Sequence, residues 1–114
     1  MSIKIWHNPR CSKSRQTMEI LSEKGVEAEV VKYLETTPSA QEITEVLKKL
    51  GISARELMRT KEDEYKELNL KDENDDAKLI EAMAAHPKLI ERPIVIVGDK
   101  AVLGRPPEKV LELI

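Results

Sequence analysis

The chain has 114 residues, of which 35% are charged and 40% hydrophobic, with a formal net charge of −2. That length holds one domain with an aliphatic core, since Phe is absent and aromatics make up 3%, and such a chain needs no disulfide staple. The balance excludes a disordered chain, the slight acidity gives no global attraction to nucleic acid, and no run approaches the ~18 apolar residues of a membrane span.

Residues 2–6, SIKIW, read as a short strand through Ile3, Ile5 and the body of Trp6, broken by His7-Asn8-Pro9. The opening MSIKIW carries no long apolar stretch of the secretory type. From Cys11 to about Lys24, Thr17, Met18, Ile20 and Leu21 recur at helical spacing, with Gly25 as the stop. Residues 28–34, AEVVKYL, read as a second strand, which makes the opening a βαβ unit.

The middle is helical. Ser39 and Glu42 form a capping-box pattern ahead of Ile43, Val46, Leu47 and Leu50, with Gly51 as the stop. Ser53 and Glu56 repeat it for a shorter helix, and residues 62–68 suit another short turn of helix. Asp75 or Asp76 can cap a helix through Leu79, Ile80, Met83 and Ala84 that ends before Pro87. The signal then reverts to strand: ERPIVIVGDKAVLG reads as a β-hairpin around Gly98-Asp99-Lys100. Pro106-Pro107 suits the first turn of a last helix with Val110, Leu111 and Ile114.

The stretch WHNPRCSKSRQTMEIL concentrates the chemistry. Cys11 is the only cysteine, and His7, Arg10, Lys13 and Arg15 surround it with no acid before Glu19. Unpaired N–H groups at a helix start favour a thiolate, and nearby cations push the same way. Those cations oppose the helix macrodipole by roughly 0.3–1 kcal/mol each, so the pattern points to an anion held there. A lone cysteine is ordinarily a small buried hydrophobe; its place after a strand, the cations and the Asn-Pro break outweigh that here.

Metal binding finds no support, because Cys11, His7 and His86 show no paired-ligand spacing. Cys11-Ser12-Lys13-Ser14 is the C-x-x-S form of a C-x-x-C redox motif. Ser14 cannot resolve a disulfide, so any redox cycle needs an outside thiol. A single thiol suits a reducing compartment, and the chain is expected in the cytoplasm.

On HNPRCSKSRQTMEIL, YLETTPSAQE, LGISARELMRTKE, HPKLIERPIVI and LGRPPE, the chain resembles the glutathione/glutaredoxin-linked arsenate reductase family of the thioredoxin-like superfamily over its whole length. The resemblance implies an α/β fold of one domain, 1–114: a mixed four-stranded sheet with a helical insertion, 36–91, between a βαβ and a ββα half. It places the catalytic cysteine on Cys11 and an activating histidine on His7. The three anion-binding arginines fall on Arg59, Arg92 and Arg105, with Ser14 and Arg15 in support and a cis-proline at Pro93. Where the best-known arsenate reductases carry Ala and Gly-Thr around the cysteine, this chain has Arg10 and Ser12-Lys13.

The activity so implied is reduction of arsenate, with glutathione as co-substrate, glutaredoxin as partner and no bound cofactor, in a monomer that binds neither nucleic acid nor membrane. Two alternatives stand beside it. One is a glutathione-dependent thiol-disulfide oxidoreductase with another substrate. The other is an Spx-like regulator, whose better-known members use a C-x-x-C switch that Ser14 removes here.

Overall fold

The computed structural model describes residues 3–114; the expected strand residue Ser2 lies outside the described residues. The fold is α/β, with strands β1 (Ile3–Trp6), β2 (Glu29–Val31), β3 (Ile94–Val97) and β4 (Lys100–Leu103). Helices are α1 (Ser12–Glu23), α2 (Ala40–Leu50), α3 (Ala54–Leu57), α4 (Asp63–Glu67) and α5 (Asp76–Ala85). The chain divides into two compact units: residues up to Thr36 with Arg92–Ile114, and Thr37–Glu91.

The first unit is built on a four-stranded mixed sheet in the order β2-β1-β3-β4. β1 runs parallel to β2 and antiparallel to β3, with Ile5 opposite both Val30 and Val95. β3 is buried along its whole length, as its unbroken IVIV run requires of a strand covered on both faces. Successive strand side chains alternate in direction, so Val95 and Val97 join Ile5, Leu21 and Val110 in one core cluster. Each such burial stabilises by about 1.5–3 kcal/mol. β3 and β4 are joined through Gly98-Asp99, with Gly98 at φ 60, the left-handed backbone that tight hairpins favour.

Two expectations differ in extent. The second strand, expected over 28–34, pairs only over Glu29–Val31. The Lys32 carbonyl accepts from the N–H groups of Glu35 and Thr36, both at 2.9 Å, and this turn ends the strand. The last helix is a 3-10 helix over Pro107–Glu112. It is tied by i+3 bonds such as Lys109 N–H to the Pro106 carbonyl at 3.0 Å.

The second unit is helical. At its start Ser39 Oγ accepts from Glu42 N–H (3.1 Å) and Glu42 Oε1 accepts from Ser39 N–H (3.2 Å), the reciprocal box expected there. Ser53 and Glu56 repeat it at 3.1 and 3.3 Å. Asp75 caps α5 by accepting from Ala77 N–H at 3.0 Å. α5 packs against α2 and α3, and Ile43, Leu57, Leu79 and Met83 are fully buried. Arg55 ties the short segments together: its guanidinium donates to Tyr65 Oη (2.6 Å), to the Leu70 carbonyl (3.1 Å) and to the Glu73 carbonyl. Among the described residues no helix is long and apolar enough to cross a membrane.

Candidate active site

The cysteine loop is shaped from both ends. His7 N–H still bonds the Val31 carbonyl at 2.9 Å, extending the β1–β2 pairing by one residue. Asn8 then folds the chain over, since its carbonyl accepts from Cys11 N–H and its Oδ1 from Arg10 N–H, each at 3.0 Å. Arg15 Nη1 donates to the Pro9 carbonyl at 3.0 Å and pins the loop from α1. Cys11 is thereby left as the N-cap of α1, with extended backbone (φ −93, ψ 123) and no side-chain capping bond. The first turn of the helix contains no acid, so nothing in it opposes a negative sulfur.

Burial alone would push the Cys11 thiol up. The Ser14 N–H, the Arg92 side chain and the Lys13 N–H lie near enough to the sulfur to favour its anion and, with the Arg92 charge, hold it below the ordinary thiol value. The sequence-local cations are thus not what tunes this thiol. Lys13 acts through its backbone, and the guanidinium comes from the segment ahead of β3.

His7 does not supply the positive charge expected of it. It is 8% exposed, and burial first, then the charges of Lys32 and Arg15, hold its pKa below 6.5. It is therefore neutral at pH 7 and adds no positive charge to the thiol. Its Nδ1 lies 2.6 Å from the hydroxyl of fully buried Ser14, which also accepts from Asn8 N–H at 3.1 Å. Ser14 stands where a second redox cysteine would, and it ties the end of β1 to the first turn of α1.

The other wall comes from the two proline loops. The Arg92–Pro93 and Arg105–Pro106 peptides are both cis. Arg105 Nη1 donates to the Arg92 carbonyl at 3.1 Å, and Gly104 N–H donates to the Pro93 carbonyl at 2.9 Å. A Cβ at Gly104 would meet Thr17 Oγ1 at 2.7 Å and Pro93 Cγ at 2.8 Å, so only glycine lets the three segments close. Sequence reasoning passed over Gly104; the signal was a glycine at a strand end beside a matched arginine. Arg92 Nε is buried with no hydrogen-bond partner among the described residues. A buried donor left so costs about 1–3 kcal/mol, and an anion would satisfy it.

Seven of the eight residues singled out by the sequence, namely His7, Cys11, Ser14, Arg15, Arg92, Pro93 and Arg105, thus fall in the first unit. Arg59 belongs to the helical unit. There its Nε pairs with Glu62 at 3.1 Å, its Nη1 with Glu91 at 3.6 Å, and its N–H with the Leu89 carbonyl at 2.7 Å. No cluster of three or more His, Cys, Asp or Glu able to hold a metal occurs among the described residues.

A family model described as the ArsC family matches residues 6–113. The relative named uncharacterized protein YfgD, from Escherichia coli K12, is 60% identical, over 98% of this chain and 96% of its own. An arsenate reductase from Neisseria meningitidis is 54% identical over 95% of this chain and 94% of its own. Among solved structures, an arsenate reductase from Vibrio cholerae superposes with a TM-score of 0.97 at 52% identity, covering 100% of this chain and 98% of that one.

Proposed function

This chain belongs to the ArsC family, and on that premise we propose that it reduces arsenate to arsenite at Cys11, with glutathione and glutaredoxin supplying the electrons. Curated relatives named arsenate reductase at 50–54% identity support the activity. The observation that carries the chemistry is the Cys11 thiol at the N-cap of α1, ahead of a first turn without acid, with Arg92 beside it favouring the thiolate.

Arsenate is a tetrahedral oxyanion. In the first unit, Arg92 with its unpartnered Nε and Arg105 are the cations for it, and the positive end of the α1 dipole adds to them. The assignment of Arg59 as a third anion ligand rests on the family resemblance. The Cys11 thiolate attacks arsenic, and one oxygen leaves as water after taking up protons, giving a sulfur–arsenic(V) adduct. A glutathione thiolate then attacks the Cys11 sulfur. The S–As bond breaks with its electron pair on arsenic, which leaves as arsenite, and a disulfide joins Cys11 to glutathione. Two sulfurs each give one electron, and arsenic gains two.

Glutaredoxin restores the thiol by exchange. His7, being neutral, orients Ser14 and the loop. The test is arsenate-dependent oxidation of NADPH in a mixture with glutathione, glutaredoxin and glutathione reductase. Native protein should turn over and Cys11→Ser should not. Equal rates for the two, or consumption of a disulfide without release of arsenite, would overturn the proposal.

A further inference from the structure

Beside the cysteine loop lies a cavity of about 300 Å³ lined by His7, Asn8, Pro9, Arg10, Lys32, Leu34 and Glu35. It sits where the ends of β1 and β2 open next to each other, wholly within the first unit. The mechanism leaves it unused. Its wall is joined to the reacting centre, because Arg10 directly precedes Cys11 and the Asn8 carbonyl holds the Cys11 N–H at 3.0 Å. Arg10 is also one of the positions, with Ser12 and Lys13, at which the family resemblance marks a departure.

The charges of the cavity form a short inventory. Arg10 and Lys32 are exposed cations, Glu35 is an exposed anion, and His7 is neutral. Pro9 and Leu34 supply apolar surface, Leu34 being 37% exposed. Neither cation has a carboxylate within 4.0 Å among the described residues. Glutathione carries two carboxylates and one ammonium around a central thiol. The cavity offers two cations and one carboxylate, and its volume is at the lower end of the ~300–1,000 Å³ of small-ligand sites.

We propose that this cavity is the docking subsite for the tripeptide thiol, with Arg10 and Lys32 taking its carboxylates and Glu35 its ammonium. The inference rests on glutathione being the outside thiol in the proposed function. Phosphate-like substrate and thiol donor then occupy different walls of the cysteine loop: the oxyanion on the Arg92 and Arg105 side, the tripeptide on the β1–β2 side. The donor docks beside the loop that carries Cys11 without competing for Arg92 or Arg105, neither of which lines the cavity.

The test uses S-methylglutathione, which binds without reacting, titrated into isotope-labelled protein with amide shifts recorded. Shifts should gather at His7, Asn8, Arg10 and residues 32–35. The Arg10→Ala/Lys32→Ala variant should bind about tenfold more weakly, and inorganic phosphate should not shift the cavity residues. In the coupled assay that variant should raise the KM for glutathione and leave the KM for arsenate unchanged. Both side chains are exposed, and a thermal melt of each single variant checks folding independently. Shifts confined to the neighbourhood of Arg92 and Arg105, or unchanged affinity in the double variant, overturn the subsite. Binding at the cavity in a protein that fails to reduce arsenate upholds the subsite and removes the arsenate reading instead.

Discussion

Gly104 and Pro93 meet twice: the Gly104 N–H donates to the Pro93 carbonyl at 2.9 Å, and the Gly104 Cα faces the proline ring so closely that a Cβ would lie 2.8 Å from Cγ. The same Cβ would strike Thr17 Oγ1 on α1. Through this contact the loops carrying Arg92 and Arg105 are set against the helix that starts at Cys11.

Gly104→Ala is therefore expected to cost about 1–3 kcal/mol from overpacking, read as a lower Tm. It should also reduce turnover beyond the effect of stability, because the backbone that shifts carries both arginines. A variant with native Tm and native kcat/KM would show that the loops tolerate the methyl and that the contact is incidental.

The Cys11 thiol should ionise below the ordinary free-thiol value of about 8.5, because backbone N–H groups and Arg92 outweigh burial. Iodoacetamide alkylation rates measured across pH give the midpoint. In Arg92→Ala the midpoint should rise, since burial then acts against fewer donors. A native midpoint at or above the free value contradicts the site as described.

His7 makes the fold sensitive to acid. Its folded pKa is below 6.5, so below that pH the unfolded chain takes up a proton that the folded chain refuses. Stability then falls as pH drops through 6.5 toward the folded pKa. Replacing His7 with Gln removes this titration. Melts from pH 8 to pH 5 should show native protein losing stability relative to His7→Gln. Parallel curves would mean that the imidazole is not held neutral.

Arg92→Ala should harm use of the oxyanion more than it harms folding, as the Nε it removes is buried and has no hydrogen-bond partner among the described residues. Loss of an anion-directed charged donor is worth about 1.5–3 kcal/mol, or roughly ten- to a hundredfold in kcat/KM for arsenate. Lower Tm with full activity would make the residue structural only.

Withholding glutaredoxin should trap one glutathione on Cys11 during turnover, since Cys11 is the only cysteine in the chain. Intact mass and peptide mapping read it, with Cys11→Ser as the control. Sustained turnover with no external thiol, or a disulfide-linked homodimer as the sole oxidised product, contradicts the cycle.

The parts of the fold that were legible in the sequence are those settled within a few residues. Ser39 with Glu42 and Ser53 with Glu56 close their boxes over one turn, and the hairpin at Gly98 needs only local backbone. β2 was overextended because AEVVKYL has strand composition throughout, yet the Lys32 carbonyl turns the chain and Val30 is left 40% exposed. The position of Cys11 at a helix start was legible for the same local reason. Its electrostatics were not: of the charges adjacent in sequence, Arg10 is exposed and Arg15 bonds the loop, whereas the cation at the sulfur is Arg92. His7 was read as a charge because burial and the nearness of Lys32 are tertiary facts.

β1 pairs with β3 between residues 3 and 97, so during synthesis it must wait for nearly the whole chain before its second partner exists. The intervening helices make local contacts and can settle first. A nascent chain therefore presents the cysteine at its helix start while Arg92 is still absent or unplaced. The share of Arg92 in holding the thiol below its ordinary pKa is gained only once residue 92 has been made and placed.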